Sequence, residues 1–294
     1  MGWTRQQLNT AAPPLKAAIG HAARTPWRQA LRRRGIDVTA TTSTKSCVVI
    51  APHPDDETLG CGISIQRRRA AGSFVTVVVA TDGALSPLPL PVEELVQRRR
   101  HEATRACAVL GVDAEHVIFL DLPDGGLQDN VDALATRLAE IMAQQSPDQI
   151  LAPVSCEGHQ DHDAANRAIR CLVDSGRTNA EVLEYPIWLW GHWPWTRVPG
   201  RTRLSPRRLL VDPVERLLEV RPLRIDAVGY RTGQRAALAE YTSQVADEST
   251  GRAMLPAWLL RALSGRYELL FPYGSLRHLD SRSSEPSGAP HRPW

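Results

Sequence analysis

Apolar residues in this chain gather in short unbroken runs. Cys47-Val48-Val49-Ile50-Ala51, residues 74–80 (Phe-Val-Thr-Val-Val-Val-Ala), 117–120 (Val-Ile-Phe-Leu), 149–153 (Gln-Ile-Leu-Ala-Pro) and 181–185 each read as a strand. Continuous Val/Ile runs, rather than alternation of apolar and polar residues, mark strands buried on both faces, which means a parallel sheet. Between them lie stretches with helical periodicity at 57–71, 92–110, 130–144 and 162–174. The β-α-β-α order with short connections predicts an α/β fold: a Rossmann-like, doubly wound, mainly parallel sheet with helices on both faces. Past residue 186 the pattern weakens. Pro, Trp and Arg dominate 186–224, where strands or a hairpin covering one sheet edge are expected, and 234–244 reads as a helix.

The ends are different in kind. Residues 1–45 read as a basic N-terminal extension with Pro13-Pro14, a helix over 15–34 and a Thr/Ser-rich linker at 39–46. The main domain is expected over 46–278. Residues 279–294 have the composition of a disordered tail. Residues 1–46 hold eight of the 35 Lys and Arg against Asp37 alone, leaving 27 basic and 31 acidic residues for the remainder. A basic arm suits nucleic acid or an anionic membrane, but the favoured reading is a solvated helical extension packed on the body, and no nucleic-acid partner is expected. No run of 18 apolar residues predicts a membrane span, and Arg5, Pro13, Pro14 and Lys16 interrupt any secretory signal. Five dispersed cysteines (47, 61, 107, 156, 171) without a C-x-x-C pair fit a reducing compartment. The expectation is a cytoplasmic protein.

The chemistry lies where two strands end. Ala51-Pro52-His53-Pro54-Asp55-Asp56-Glu57-Thr58 follows the first run, and His159-Gln160-Asp161-His162 follows the fourth. Doubly wound folds bind ligands beyond the carboxyl ends of their strands. His53 and Asp56 are three residues apart across a turn stiffened by Pro52 and Pro54, and His162 can join them from the neighbouring strand end. Two imidazoles and a carboxylate suit zinc, with iron or cobalt as alternatives. Asp55 would stand beside the metal as general base, His159 opposite as donor to an oxyanion or leaving amine, with Asp161 holding its other nitrogen and keeping it cationic. The plainer reading makes Asp56 a cap for helix 57–71 and Asp161 a cap for helix 162–174. Two such clusters, each at a parallel-strand end, favour a metal site. Gly60-x-Gly62 lacks the spacing of a dinucleotide fingerprint.

Ala51-x-His53-Pro54-Asp55-Asp56-Glu57 with Leu59-Gly60-Cys61-Gly62, together with His159-x-Asp161-His162, resembles the two signatures of the PIG-L/LmbE-like metal-dependent de-N-acetylases. Thr81-Asp82-Gly83, Arg99-Arg100-His101-Glu102, Leu122-Pro123-Asp124-Gly125-Gly126 and Ser243-Gln244 are similar as well. The resemblance covers about 46–272. It implies zinc-dependent removal of acetyl from an N-acetylated amino sugar or sugar conjugate of the N-acetylglucosamine type. It also implies zinc on His53, Asp56 and His162, catalysis by Asp55, His159 and Asp161, and substrate hydroxyls held by Arg99 and Asp124. Glu157-Gly158 stands where some members carry tyrosine. The alternatives are hydrolysis of another amide or ester, or a non-catalytic metal- or sugar-binding protein of the same fold. Trp188, Trp190, Trp193 and Trp195 read either as a wall for sugar rings or as an oligomer contact or edge cover, so a homo-oligomer is compatible.

Overall fold

The computed structural model describes residues 15–86, 88–195, 210–245 and 255–276, with side chains from residue 23 onward. Its strands are β1 (Ile36–Asp37), β2 (Cys47–Ala51), β3 (Val75–Thr81), β4 (Val117–Leu122), β5 (Gln149–Pro153), β6 (Glu181–Tyr185), β7 (Leu223–Asp226) and β8 (Tyr267–Pro272). The helices that matter to the site are α1 (Leu15–Arg34), α2 (Thr39–Ser43), α3 (Asp56–Ala70), α4 (Val92–Val109), α5 (Val131–Gln145) and α6 (Gln160–Asp174).

All eight strands form one sheet in the order β1-β7-β8-β6-β5-β2-β3-β4. The β4-β3-β2-β5-β6 block is parallel throughout, while β8 joins β6 and β7 in antiparallel sense. Within the parallel block the chain starts at β2, builds outward through β3 and β4, and returns to β5 on the other side. The winding therefore reverses between β2 and β5, and a crevice opens at their carboxyl ends.

Strand residues divide between two cores. Val49, Ala51, Val77, Val79 and Leu151 face Cys61, Ile63 and Ala103 of α3 and α4. Val48, Ile50, Val78, Ile150 and Ala152 face Leu134, Leu138, Ala165 and Ile169 of α5 and α6. This two-sided burial explains why the runs read as unbroken apolar sequence.

A third cluster joins the chain ends: Leu31 of α1 packs with Trp190, Trp193, Leu269 and Phe271. The basic residues of α1 are partly committed to backbone carbonyls. Arg28 donates to Trp190 O, Arg32 to Ala262 O, and Arg34 to Leu218 O at 3.3 Å.

Several local readings differ. The 39–46 segment holds a helical turn, because Thr42 and Ser43 hydroxyls bond the carbonyls of Val38 and Thr39. The expected helix 234–244 divides into Arg231–Ala239 and Thr242–Val245, because the Ser243 amide bonds Glu102 Oε1 at 2.9 Å. Within 186–224 the described residues form a turn at Trp188–Gly191 and a helix at Asp212–Glu219, and the expected strand near one sheet edge is β7, parallel to β1 and antiparallel to β8. The tail at 279–294 lies outside the described residues. Among those described, no helix is long and apolar enough to cross a membrane.

Candidate active site

The turn after β2 is the most constrained backbone near the crevice. Asp55 caps α3 with φ 119°, a region where a non-glycine residue costs about 1–3 kcal/mol. Its amide donates to Glu57 Oε2 at 3.1 Å, and Glu57 Oε1 accepts from the Tyr241 hydroxyl at 2.5 Å. The strain is thus held by a buried network that reaches into the late part of the chain.

The turn folds Asp56 back on His53. Asp56 Oδ2 accepts the His53 backbone N–H at 2.9 Å, lies 3.2 Å from His53 Nδ1, and is 3.2 Å from His162 Nε2. It is not spent on capping α3. The second signature arrives from β5 through α6, which begins at Gln160 with His159 as its cap residue. The ring centroids of His53, His159 and His162 are 5.0–5.4 Å apart.

Asp161 is placed differently from expectation. Its Oδ2 is 3.0 Å from His53 Nε2 and accepts Gly125 N–H at 2.9 Å, while Oδ1 accepts Leu127 N–H at 3.1 Å. The amides of the loop after β4 claim this carboxylate, so it braces His53 rather than His159 and caps nothing on α6. Burial, aided by the neighbouring imidazoles His162 and His53, pushes His159 down to about 3. It is a neutral ring, not the cation that pairing with Asp161 would give.

Other charges follow from the same packing. Burial lifts Asp55 to about 8, against the pull of Arg99. Burial also opposes ionisation of Asp56, but the adjacent His162 and His53 overcome it and hold the carboxyl well below its ordinary value. His53 is opposed by burial yet raised well above the usual histidine range by Asp124, Asp161 and Asp56.

The two residues implied only by resemblance also come to this crevice. Asp124 Oδ1 is 3.3 Å from His53 Nε2, and its Oδ2 accepts Leu85 N–H at 3.0 Å. Arg99 is 4% exposed. It donates to Pro54 O at 2.5 Å, lies 3.7 Å from Asp55 Oδ2 and reaches Ser243 Oγ at 3.4 Å. It supports Asp55 from below.

Glu157 is the residue that sequence reasoning missed. Its buried carboxylate accepts Ile187 N–H at 2.8 Å and Trp188 N–H, and lies 3.7 Å from His162 Nδ1. Burial raises it well above the ordinary glutamate value despite those amides. The available signal was an acid two residues ahead of His159, in the loop that follows the fully buried β5.

A cation suits this donor set on one further observation. His162 is fully buried, yet neither of its ring nitrogens has a partner in hydrogen-bond geometry, and His159 Nδ1 is also without one. Buried polar atoms are almost always satisfied. One ligand atom each from His53, His159 and His162, or from His53, Asp124 and Asp161, falls within 4.8 Å of the others. Imidazole nitrogen and carboxylate oxygen are the donors zinc takes. Cys61 lies in the hydrophobic core with Ile63, and Cys156 packs in the third cluster with Trp190; neither belongs to a donor group.

Comparison with known proteins finds similarity over the stretch that carries the site. A family model described as "PIG-L: GlcNAc-PI de-N-acetylase" matches residues 48–173. Diacetylchitobiose deacetylase of Thermococcus kodakarensis is 31% identical over 40% of this chain and 45% of its own. A 1D-myo-inositol 2-acetamido-2-deoxy-alpha-D-glucopyranoside deacetylase of Kineococcus radiotolerans is 26% identical over 57% of this chain and 54% of its own. The chain thus spans about half the length of these curated relatives. The zinc-inhibited form of teicoplanin deacetylase Orf2 shares the fold, with a TM-score of 0.55 at 18% identity over 77% of this chain and 97% of that one. Residues 48–173, the stretch that the PIG-L family model matches, supply every side chain of the cluster.

Proposed function

We propose that this protein is a metal-dependent N-deacetylase that hydrolyses the acetamido group of an N-acetylated amino sugar or sugar conjugate. The observation that carries the reading is the conjunction at the β2–β5 crevice. Three imidazoles and the Asp56 carboxylate converge there with unpartnered buried nitrogens, beside a strained, separately buried Asp55. A module that only bound a ligand would have no use for that strained carboxyl. Both curated relatives described above are named as deacetylases of acetamido sugars, which supports the substrate class.

His53, Asp56 and His162 would hold the ion, and zinc fits the donors. When bound, such an ion polarises a carbonyl group and acidifies water. The side chains divide the remaining work. Asp55, lifted to about 8, takes a proton from the attacking water and returns it to the departing amine, as a group titrating near neutral pH can. His159, a neutral ring, donates an N–H toward the oxygen on which negative charge develops. Asp161 and Asp124 fix the His53 ring. Arg99 keeps the Asp55 turn in place. The amide C–N bond breaks, the water oxygen ends in acetate, and the amine leaves with the transferred proton.

The test is acetate release from N-acetylglucosamine and its conjugates by protein stripped of metal and reloaded with one equivalent of zinc. Excess zinc forms a separate arm, since one structural relative has a zinc-inhibited form. Turnover at one equivalent supports the proposal. Absence of acetate from every substrate at one equivalent, with zinc bound, would overturn it.

A further inference from the structure

The four tryptophans of the 188–195 segment do not share one fate. Trp190 and Trp193 are 1% and 0% exposed and belong to the third core cluster. Trp188 instead remains half-buried at the crevice. Its ring lies nearly parallel to His159, with centroids 6.2 Å apart and an interplanar angle of 18°. Trp258, also half-buried, meets Trp188 edge-on at 6.5 Å. A row of rings therefore leads from the cluster at His53 through His159 and Trp188 to Trp258.

This row is built rigidly. The buried Glu157 carboxylate holds the Ile187 and Trp188 amides, and its backbone oxygen is 3.0 Å from His192 Nε2. Gly191 lies so close to Trp258 that a Cβ there would be 3.0 Å from its Cη2. One carboxylate beside His162 thus also sets the backbone from which Trp188 projects. Trp188 packs against the first hydrophobic core yet stays only partly buried, unlike Trp190 and Trp193.

We propose that Trp188, backed by Trp258, forms a ring-binding subsite for the part of the substrate beyond the acetamido sugar. The preferred substrate is then an N-acetylglucosamine unit joined to a second ring, not the free monosaccharide. The proposal rests on the deacetylase reading for the position of the first ring. Indole faces take the C–H face of a sugar or the face of a planar ring, and the row of rings begins at the cluster itself.

The experiment uses the zinc-loaded full chain, with N-acetylglucosamine and N,N'-diacetylchitobiose as probes. Acetate release is measured alongside calorimetric binding, for wild type, Trp188→Ala, Trp188→Leu and Trp188→Tyr. Leucine keeps apolar bulk should alanine fail to fold, and tyrosine keeps a ring. Alanine and leucine are expected to weaken disaccharide binding and raise its KM about tenfold, the effect of losing one good ring contact. The disaccharide KM should change several-fold more than the monosaccharide KM, and tyrosine should retain most of the preference. An equal loss for both sugars, no loss for either, or a wild type that prefers the monosaccharide would overturn the subsite. Disaccharide binding that depends on Trp188 without acetate release would sustain the subsite and remove the deacetylase reading. Acetate release indifferent to Trp188 would do the reverse, and a wild type that neither binds nor hydrolyses either sugar would overturn both.

Discussion

Replacing Gly60 by alanine tests how α3, and with it Asp56, is seated. In a helix interior this change normally stabilises by about 1 kcal/mol, because glycine has the greater backbone freedom to lose. Here a Cβ would lie 2.3 Å from Tyr185 Cδ2 and 2.7 Å from Cε2. The ring cannot swing aside cheaply: Tyr185 is fully buried and its hydroxyl donates to Ile50 O at 2.7 Å. Overpacking of this kind costs about 1–3 kcal/mol, and displacing the hydroxyl from its carbonyl adds about 1–2 kcal/mol. The clash outweighs propensity, so Gly60→Ala should destabilise by about 2–3 kcal/mol. In urea that is a midpoint lowered by roughly 1 M at unchanged slope. A double-mutant cycle sharpens the test: in a Tyr185→Ala background the new methyl enters vacated space and should stabilise, so the two changes couple strongly. Gly72→Ala is the comparison, since nothing lies within 4 Å of its Cβ position and only its φ of +79° opposes the change. An unchanged or raised midpoint for Gly60→Ala would refute the described seating of α3 on Tyr185.

Further outcomes are expected at the cluster. Asp55→Asn should retain zinc and lose turnover by about 100-fold or more, the usual worth of a positioned acid–base group; wild-type kcat would place the proton transfer elsewhere. His162→Ala should lower zinc per chain in metal analysis while leaving the far-ultraviolet spectrum unchanged, and full occupancy would move the ligand. Metal-stripped protein should melt at a higher temperature at pH 5 than at pH 8. Between 3.8 and about 8 Asp55 is ionised when unfolded but protonated when folded, so its contribution falls as pH rises. His53, raised above 6.5 in the fold, stabilises fully below 6.5 and loses this as pH climbs through its folded value. Asp56 acts oppositely, stabilising above 3.8 and losing this as pH falls, so it does not offset the trend in this window. His159, pushed down to about 3, opposes the trend only below 6.5, where the unfolded ring protonates and the buried one does not, a smaller span than the one Asp55 covers. Equal melting temperatures at the two pH values would contradict these burial arguments.

The parallel block was legible because its strands are buried on both faces. The runs 47–51, 149–153 and 181–185 coincide with β2, β5 and β6, and the expected α3 to α6 start and end within two residues of their observed bounds. The sheet edge was not legible. β1 has two residues and β7 four, with mixed burial, and β8 comes from far along the chain to pair antiparallel with β6. At the site, strand-end spacing placed the imidazoles within reach of one another but could not assign partners. The partner of Asp161 depends on the Gly125 and Leu127 amides, which belong to the neighbouring loop. Arg98, Arg99 and Arg100 show the same limit. In sequence they are one basic run, yet on α4 they diverge, to Thr242 at 2.9 Å, Asp55 at 3.7 Å and Asp121 at 2.6 Å.

These tertiary dependencies mean that residues beyond the family match are part of the site's support. The match ends at residue 173, but buried polar groups within it find their partners later in the chain. Glu57 is bonded by Tyr241, Thr58 O by Gln234 at 2.8 Å, and Glu102 by Ser243. Glu268 accepts the Ile63 amide at 2.8 Å and the Ser64 amide at 3.0 Å, inside α3. Each partner removed would leave a buried donor or acceptor unsatisfied at about 1–3 kcal/mol, several times over, against a typical total stability of about 5–15 kcal/mol. Glycines at 60 and 62 let Tyr185 and Gln234 approach α3 closely, and the helix so held presents Asp56 to His53 and His162. The part of the chain beyond the match therefore helps set the position of the Asp56, His53 and His162 side chains that the matched part supplies.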